Sequence, residues 1–413
     1  MGMDTTRSLA LTSSRESNHV PAAQRIFLEI LNRKVQGASL AFRVAGSTFV
    51  VGNGTEPSRA TVLVHNPRFF SRVVAHGNLG LGESYMDREF DVEGGKLDEF
   101  LRTLLVNRVD REISLSPGAA LRVLWMRVAD TLRGKENNIH RHYDTGIDLF
   151  TAFLGTNLVY SCGYVNEVTD SLDQLQINKM DRICRKLRLQ SGERLLDIGC
   201  GYGGLLIHAA KNYGVLGTGV TNSRDHAACG NERIAEHGLN GRADIHYADF
   251  TTLQGTYDKV VSVGMMEHVP RREYKQYFRK LARLLSPQGM GLVHTLGANA
   301  PKNIHDPFFQ KYIFPNSNQP KLSEITAGLE SQGLAILDVE NMIRHYGHTA
   351  MRWREHFERN RGQLNSEKYD DRFIRMWEYY LACGVAAAFA SDTALYQVLF
   401  TKDYTAPMPL RRV

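Results

Sequence analysis

At 413 residues the chain can form two or three domains with a large buried core, and its mean hydropathy of −0.31, without any run of about 18 apolar residues, excludes a membrane-spanning bundle. A net charge of +6 and a pI near 9.0 suit an anionic partner; no nucleic-acid-binding motif accompanies the charge, so a phospholipid surface is expected rather than nucleic acid. Cys162, Cys184, Cys200, Cys229 and Cys383 stand singly, with no C-x-x-C spacing, which implies a reducing compartment and no metal site.

Residues 1–20, rich in Ser and Thr and lacking a signal-like apolar core, read as a flexible start to a cytoplasmic chain. From residue 21 to about 107 a small α+β domain is expected. LAFRVAG, STFVVGN and RATVLVHN pattern as strands, while Pro67 to Ala75 and Leu97 to Leu105 have helical spacing. Residues 108–137 read as a helical linker, because Leu121, Leu124, Val128 and Leu132 recur at helical spacing among Arg122, Arg127 and Arg133. That helix serves domain packing or membrane contact equally well.

From residue 138 to 413 a catalytic domain is expected. A helix over Ser171 to Leu187 precedes strands at Leu195, Val215 to Val220, Ala243 to Tyr247, Tyr257 to Gly264 and Gly289 to Leu296, with helices near Leu205, Asp225 and Arg271 between them. Such alternation specifies a doubly wound, mostly parallel sheet with its ligand at the carboxyl ends of the strands. Ala335 to Glu340 and Leu395 to Phe400 complete it.

The stretch LLDIGCGYGG, Leu195 to Gly204, carries the sharpest signal: a buried strand ends in glycines that let a ligand lie against bare backbone at a helix N-terminus. Gly199, Gly201 and Gly204 satisfy the dinucleotide fingerprint, but the second strand ends in Thr221-Asn222-Ser223 rather than the acid such a site requires. The form D-I-G-C-G-x-G-G instead resembles the S-adenosylmethionine turn of class I methyltransferases, whose last strand runs antiparallel.

Together with that turn, HYDTGIDLF, YSCGY, LQINKMDRICRKL, VSVGMMEHV and HTLG resemble the cyclopropane fatty acid synthase family, from roughly Leu79 onward. LGLGESYMDREFDV resembles that family's N-terminal lipid-binding domain. Coclaurine N-methyltransferases and mycolic acid cyclopropane synthases share many of these motifs. The resemblance implies methylene transfer from S-adenosylmethionine to a cis double bond of phospholipid acyl chains, by a peripheral homodimer at the inner membrane face. Alternatives are a methyl-branching or N-methylating relative acting on another lipid or amine, and an inactive lipid-binding protein.

Within the resemblance, cofactor contacts fall on Tyr160, Ser161, Asp197, Gly199, Gly201, Thr221, Asp249 and Phe250, with His226 standing where relatives commonly carry Gln. A bicarbonate ion, the base that takes the proton released on ring closure, is expected in a cage of Cys162, Glu267, His294 and Tyr346 with the backbone of Leu296. Taken singly, Cys162 reads as a small buried residue, Glu267 as a helix-start acid and His294 as a core histidine. Tyr143, Tyr164 and Phe314 are candidates to face the carbocation or to line the acyl tunnel. His345 and His348 lack the further ligand a metal site needs.

Overall fold

The computed structural model describes residues 20–54, 58–109, 146–298 and 306–405. The expected basic helix Ser116 to Arg133, Tyr143 and nearly all of the expected flexible start lie outside them. The chain divides into two compact units, one drawn from Met1–Leu132 and Asp370–Ala386, the other from Arg133–Tyr369 and Ala387–Val413.

In the first unit, β1 (Ser39–Val44) and β2 (Ser47–Gly52) form a hairpin. Its two turn residues, Ala45 and Gly46, both take positive φ, 47° and 82°, which matches the twist of the flanking strands. The sheet order is β2-β1-β3-β4, with β3 (Ala60–Val64) parallel to β1 and β4 (Phe90–Val92) antiparallel to β3. Helices α1 (Ala22–Lys34), α2 (Arg68–Met86) and α3 (Leu97–Val106) accompany it. Phe27, Phe42, Phe69, Phe70, Phe90 and Phe100 are buried in the unit's core, and several of their rings meet edge-on. The helical spacing of Pro67 to Ala75 matches the first stretch of α2; Gly77, with φ 57° and ψ −136°, leaves the helical conformation, and a second helical stretch runs on from it to Met86.

The helix Asp371–Phe389 joins this unit as far as Ala386, although the sequence reading placed it in one unbroken catalytic segment. Arg375 holds it there: its Nε donates to the Tyr85 carbonyl at 2.6 Å, a terminal nitrogen donates to Asp91 Oδ1 at 2.8 Å, and its guanidinium lies 3.9 Å from the Tyr85 ring centre. No periodicity within a helix reports which distant carbonyl it will meet.

The second unit carries a seven-stranded sheet. Its helices and strands run α4 (Ile147–Leu154), α5 (Leu172–Lys186), β5 (Arg194–Ile198), α6 (Gly204–Tyr213), β6 (Leu216–Thr221), α7 (Arg224–Glu236), β7 (Ala243–Tyr247), β8 (Tyr257–Val263), α8 (Tyr274–Leu284), β9 (Leu285–Gly297), α9 (Leu322–Glu330), β10 (Ala335–Asn341), α10 (Ile343–Asn360) and β11 (Ala394–Thr401). The strand order is β10-β11-β9-β8-β5-β6-β7. Pairing is parallel from β9 to β7, and β11 runs antiparallel to both its neighbours, as expected of the class I methyltransferase sheet.

Successive strand residues feed opposite faces of this sheet. Leu196, Val260, Val293 and Val398 join one core with α8 and α9, while Leu195, Val261, Leu292 and Leu399 join another with α5, α6 and α7. Burial on both faces is why these strands read as continuous apolar runs in the sequence.

Replacing Arg375 by Met removes a charged donor from the buried Tyr85 and Phe90 carbonyls and is expected to destabilise the first unit by about 2–3 kcal/mol. Faster amide hydrogen exchange in Phe90 to Val92, measured by mass spectrometry, checks it.

Candidate active site

At the carboxyl end of β5 the chain turns through Gly199 and Gly201, with φ of +81° and +54°. The N–H groups of Gly199 and Cys200 both donate to the Val220 carbonyl, at 2.9 and 3.1 Å, which ties the turn to the end of β6. A Cβ on Gly199 would lie 2.9 Å from the Met265 side chain, so this position needs glycine for space as well as for conformation. Asp197, the residue two before Gly199, is buried, and its Oδ1 has no hydrogen-bond partner among the described residues. Burial pushes its carboxyl up to about 7, partly opposed by the nearby Lys179 ammonium.

Lys179 itself escaped the sequence reading. Burial pushes it down to about 8, partly opposed by Asp197, and its Nζ donates to Ser161 Oγ at 3.0 Å. A signal was available: Lys179 sits four residues from both Leu175 and Ile183, a lysine within the apolar stripe of α5. Gln176, also missed, donates to the Ser161 carbonyl at 2.8 Å.

The segment bearing Tyr160, Ser161 and Cys162 has no regular structure, and side chains of α5 and α10 hold it in place. Asn178 donates to the Tyr164 carbonyl at 3.1 Å, the Gly163 N–H donates to Thr349 Oγ1 at 3.0 Å, and the Val165 N–H donates to His345 Nδ1 at 3.0 Å. Cys162 Sγ lies 3.9 Å from the Met342 carbonyl at the start of α10, which also accepts from the Tyr346 main-chain N–H at 3.1 Å. Burial pushes the Cys162 thiol up to about 12 and keeps it protonated at neutral pH.

Glu267 lies in a short turn, Met266–His268, after β8. Its Oε2 accepts from Thr295 Oγ1 at 2.8 Å and its Oε1 from the Leu296 N–H at 3.3 Å. Of the Leu296 backbone, expected to contact the anion, the N–H thus already has a carboxylate partner. Burial pushes Glu267 up to about 7, against the pull of these hydrogen bonds. Gly264, at φ +68°, lies near both groups: a Cβ built on it would sit 3.8 Å from the Ser161 side chain and 3.9 Å from Glu267 Oε1. The Gly264 N–H donates to the His294 carbonyl at 2.8 Å. His294 is buried, and its Nε2 has no hydrogen-bond partner among the described residues.

Other expected residues line the strand ends. Thr221 closes β6, and its hydroxyl accepts from the Ser223 N–H at 3.3 Å. His226 begins α7 with its ring 4.4 Å from that of Tyr202, and burial pushes it down to about 4, so it is neutral. Asp249 and Phe250 follow β7, the first capping Thr251 at 2.8 Å and the second meeting Tyr277 edge-on.

Tyr164 corrects one expectation. Its ring stacks on His345 with centroids 4.1 Å apart, and the Arg182 guanidinium lies 4.3 Å from its centre, so the ring's π-system is already engaged by this chain's own groups, a cation among them. Phe314 instead lies beside Tyr160 and His268.

The parallel sheet with an antiparallel last strand, and a glycine turn at its switch point, define a class I methyltransferase. A family model described as mycolic acid cyclopropane synthetase matches residues 131–398, and the chain belongs to that family. It is 37% identical over 352 residues to the cyclopropane-fatty-acyl-phospholipid synthase of Escherichia coli (strain K12), covering 85% of this chain and 89% of that one. A probable fatty acid methyltransferase of Pseudomonas putida is 31% identical over 374 residues, covering 87% and 90%. Among solved structures, mycolic acid cyclopropane synthase CmaA1 complexed with SAH and CTAB is 27% identical and superposes with a TM-score of 0.60, over 64% of this chain and 96% of that one.

In the folded chain Glu267 keeps its proton up to about pH 7, whereas the ordinary carboxyl value is 4.5. Folding therefore takes up a proton between those values, and the stability Glu267 contributes is full below 4.5 and lost as pH rises through 7. Glu267→Gln removes this dependence. Its melting temperature is expected to gain on that of the wild type as pH is raised from about 5 to about 8, measured by calorimetry.

Proposed function

We propose that this enzyme transfers a methylene from S-adenosylmethionine to a cis double bond of an acyl chain in a membrane phospholipid, closing a cyclopropane ring, with bicarbonate bound among Cys162, Glu267, His294 and Tyr346. Family membership supports the reaction. The observation that carries the site is a buried polar set around one cation: Lys179 acts electrostatically on Asp197, Cys162 and His294, and Nε2 of His294 lacks a partner among the described residues. Such a set fits a small anion beside a charged cofactor. When bound, S-adenosylmethionine supplies an electrophilic methyl group and bicarbonate a weak base.

The chain's own residues meet the remaining demands. Because the Lys179 ammonium donates to Ser161 Oγ, it leaves the Ser161 hydroxyl hydrogen free to point at a carboxylate, such as the methionine end of the cofactor. Glu267, poised near neutrality, can present a proton to an anion or accept one from it, while Thr295 fixes its orientation. Cys162 stays a thiol, so it does not compete with the alkene for an electrophilic methyl. Apolar and aromatic groups close the surroundings: Tyr160 lies between Phe150, Phe153 and Trp353, which keeps water from a cation formed on the acyl chain.

The first unit is assigned to handling lipid at the cytoplasmic membrane face, on the resemblance of Leu79 to Val92. Among the described residues no helix is long and apolar enough to cross a membrane. The polar residues of that motif have structural partners: Ser84 donates to Glu89 at 2.7 Å, and Arg72 reaches Asp87 at 2.8 Å.

The test is incubation with vesicles of unsaturated phospholipid and labelled S-adenosylmethionine, followed by mass spectrometry of the lipids. Ring product is expected, falling at least about a hundredfold in Glu267→Gln, and falling in buffer freed of carbon dioxide until bicarbonate is restored. A retained methyl branch would replace the cyclopropanation reading, and full activity in Glu267→Gln would remove that residue from the cage. A second prediction concerns the buried cation: Lys179→Met is expected to weaken binding of S-adenosylhomocysteine roughly tenfold or more, measured by calorimetry, while leaving the circular dichroism spectrum unchanged.

A further inference from the structure

His294 and Gln397 are direct partners across the antiparallel pair of β9 and β11. Both are buried, and Gln397 Nε2 lies 3.1 Å from His294 Nδ1. On its other side, Gln397 Oε1 accepts from Lys186 Nζ at 2.9 Å. An ammonium has donors only, so the amide oxygen must face Lys186 and the amide NH2 must face the imidazole; turned over, the amide would set donor against donor at both contacts. Lys186 has no freedom to leave, since Glu340 Oε2 lies 2.7 Å and Asp338 Oδ2 3.2 Å from its Nζ, and Arg182 pairs with Glu340 at 2.9 Å.

We infer that Gln397, oriented by Lys186, locks His294 as the neutral tautomer protonated on Nε2, making it a permanent hydrogen-bond donor rather than a proton-transfer group. Nδ1 faces an NH2 that can only donate, so it must be a lone pair, and the ring's single proton must sit on Nε2. Doubly protonating the ring would break that contact. It would also add a third positive charge to a buried site already bearing Lys179 and Lys186, and burial together with these two cations holds His294 well below its ordinary value. Nε2 is the atom without a partner among the described residues. Its N–H therefore suits an anionic or carbonyl oxygen.

The inference rests on the reading of this site as an anion cage and supplies its logic. An imidazolium beside a weak base would surrender its proton to that base and disable it; a histidine held neutral can bind the base without titrating it. Gln397 and Lys186 are positioning residues in this account.

The experiment is long-range proton–nitrogen correlation NMR of the full chain carrying 15N-histidine, with no bicarbonate or cofactor added and His294 assigned from the His294→Gln variant. The expected wild-type spectrum shows His294 protonated on Nε2 alone, unchanged across neutral pH. In Gln397→Glu a carboxylate replaces the donor, so Nδ1 is expected to gain a proton. The rate at saturating S-adenosylmethionine is expected to fall roughly tenfold, with the KM for S-adenosylmethionine unchanged. A wild-type His294 protonated on Nδ1, or a Gln397→Glu spectrum identical to wild type, overturns the inference; the wild-type spectrum decides alone if the variant does not fold. Adding bicarbonate then separates the two readings. A locked Nε2–H signal that does not move with bicarbonate overturns the anion cage while leaving the tautomer assignment standing.

Discussion

Parallel pairing of β5 with β6 on one side and β8 on the other is the constraint on which the rest of the second unit depends. After β5 the chain proceeds outward through β6 and β7, then crosses to the far side for β8 and β9, so the loops after β5 and β8 diverge and open a crevice between them. Into that opening fall the glycine turn after β5 and the Glu267 turn after β8, while His294 near the end of β9 lies one strand further on. Residues separated by some hundred positions in the chain are thereby neighbours without any of them having to attract the others.

Charged side chains are buried around this crevice, an arrangement that costs free energy unless every charge has a partner. Two groups of residues meet this demand differently. Arg182, Lys186, Asp338, Glu340 and Gln397 form a network of ion pairs and hydrogen bonds centred on Lys186, which meets Asp338, Glu340 and Gln397, while Arg182 also grips Glu340. Among the other buried groups, Asp197 Oδ1 and His294 Nε2 have no hydrogen-bond partner among the described residues, and burial moves Lys179, Asp197 and Glu267 toward neutrality. Incomplete pairing of buried groups is the mark of a binding site, where a ligand completes the set. The satisfied network lies directly behind the unsatisfied one and orients it, with Gln397 as the link.

In the first unit polar residues do the opposite. Asp87, Glu89 and Asp91, within a motif that resembles a lipid-binding module, are engaged with Arg72, Arg372 and Arg375. Their presence in the motif is explained by the packing of α2, β4 and the helix Asp371–Phe389 within that unit.

By itself the sequence determined the strand and helix alternation and the glycine turn, because apolar periodicity and a turn needing positive φ are local properties; the family, and with it the antiparallel last strand, was legible only through the resemblance of its motifs to known proteins. Tertiary structure alone decided that a second helical stretch follows the break at Gly77, that His345 and Arg182 pack on the Tyr164 ring, that the Leu296 N–H serves Glu267, and that the helix Asp371–Phe389 packs in the first unit up to Ala386. It also decided which buried polar groups are matched. Lys179 was visible as a lysine in an apolar stripe, but Gln397 was not, since a glutamine in a strand acquires its role only when sheet register sets it opposite His294 and a distant helix brings Lys186 to its oxygen. Hydrogen-bond polarity is a property of pairs, and the pairs exist only once the chain has folded.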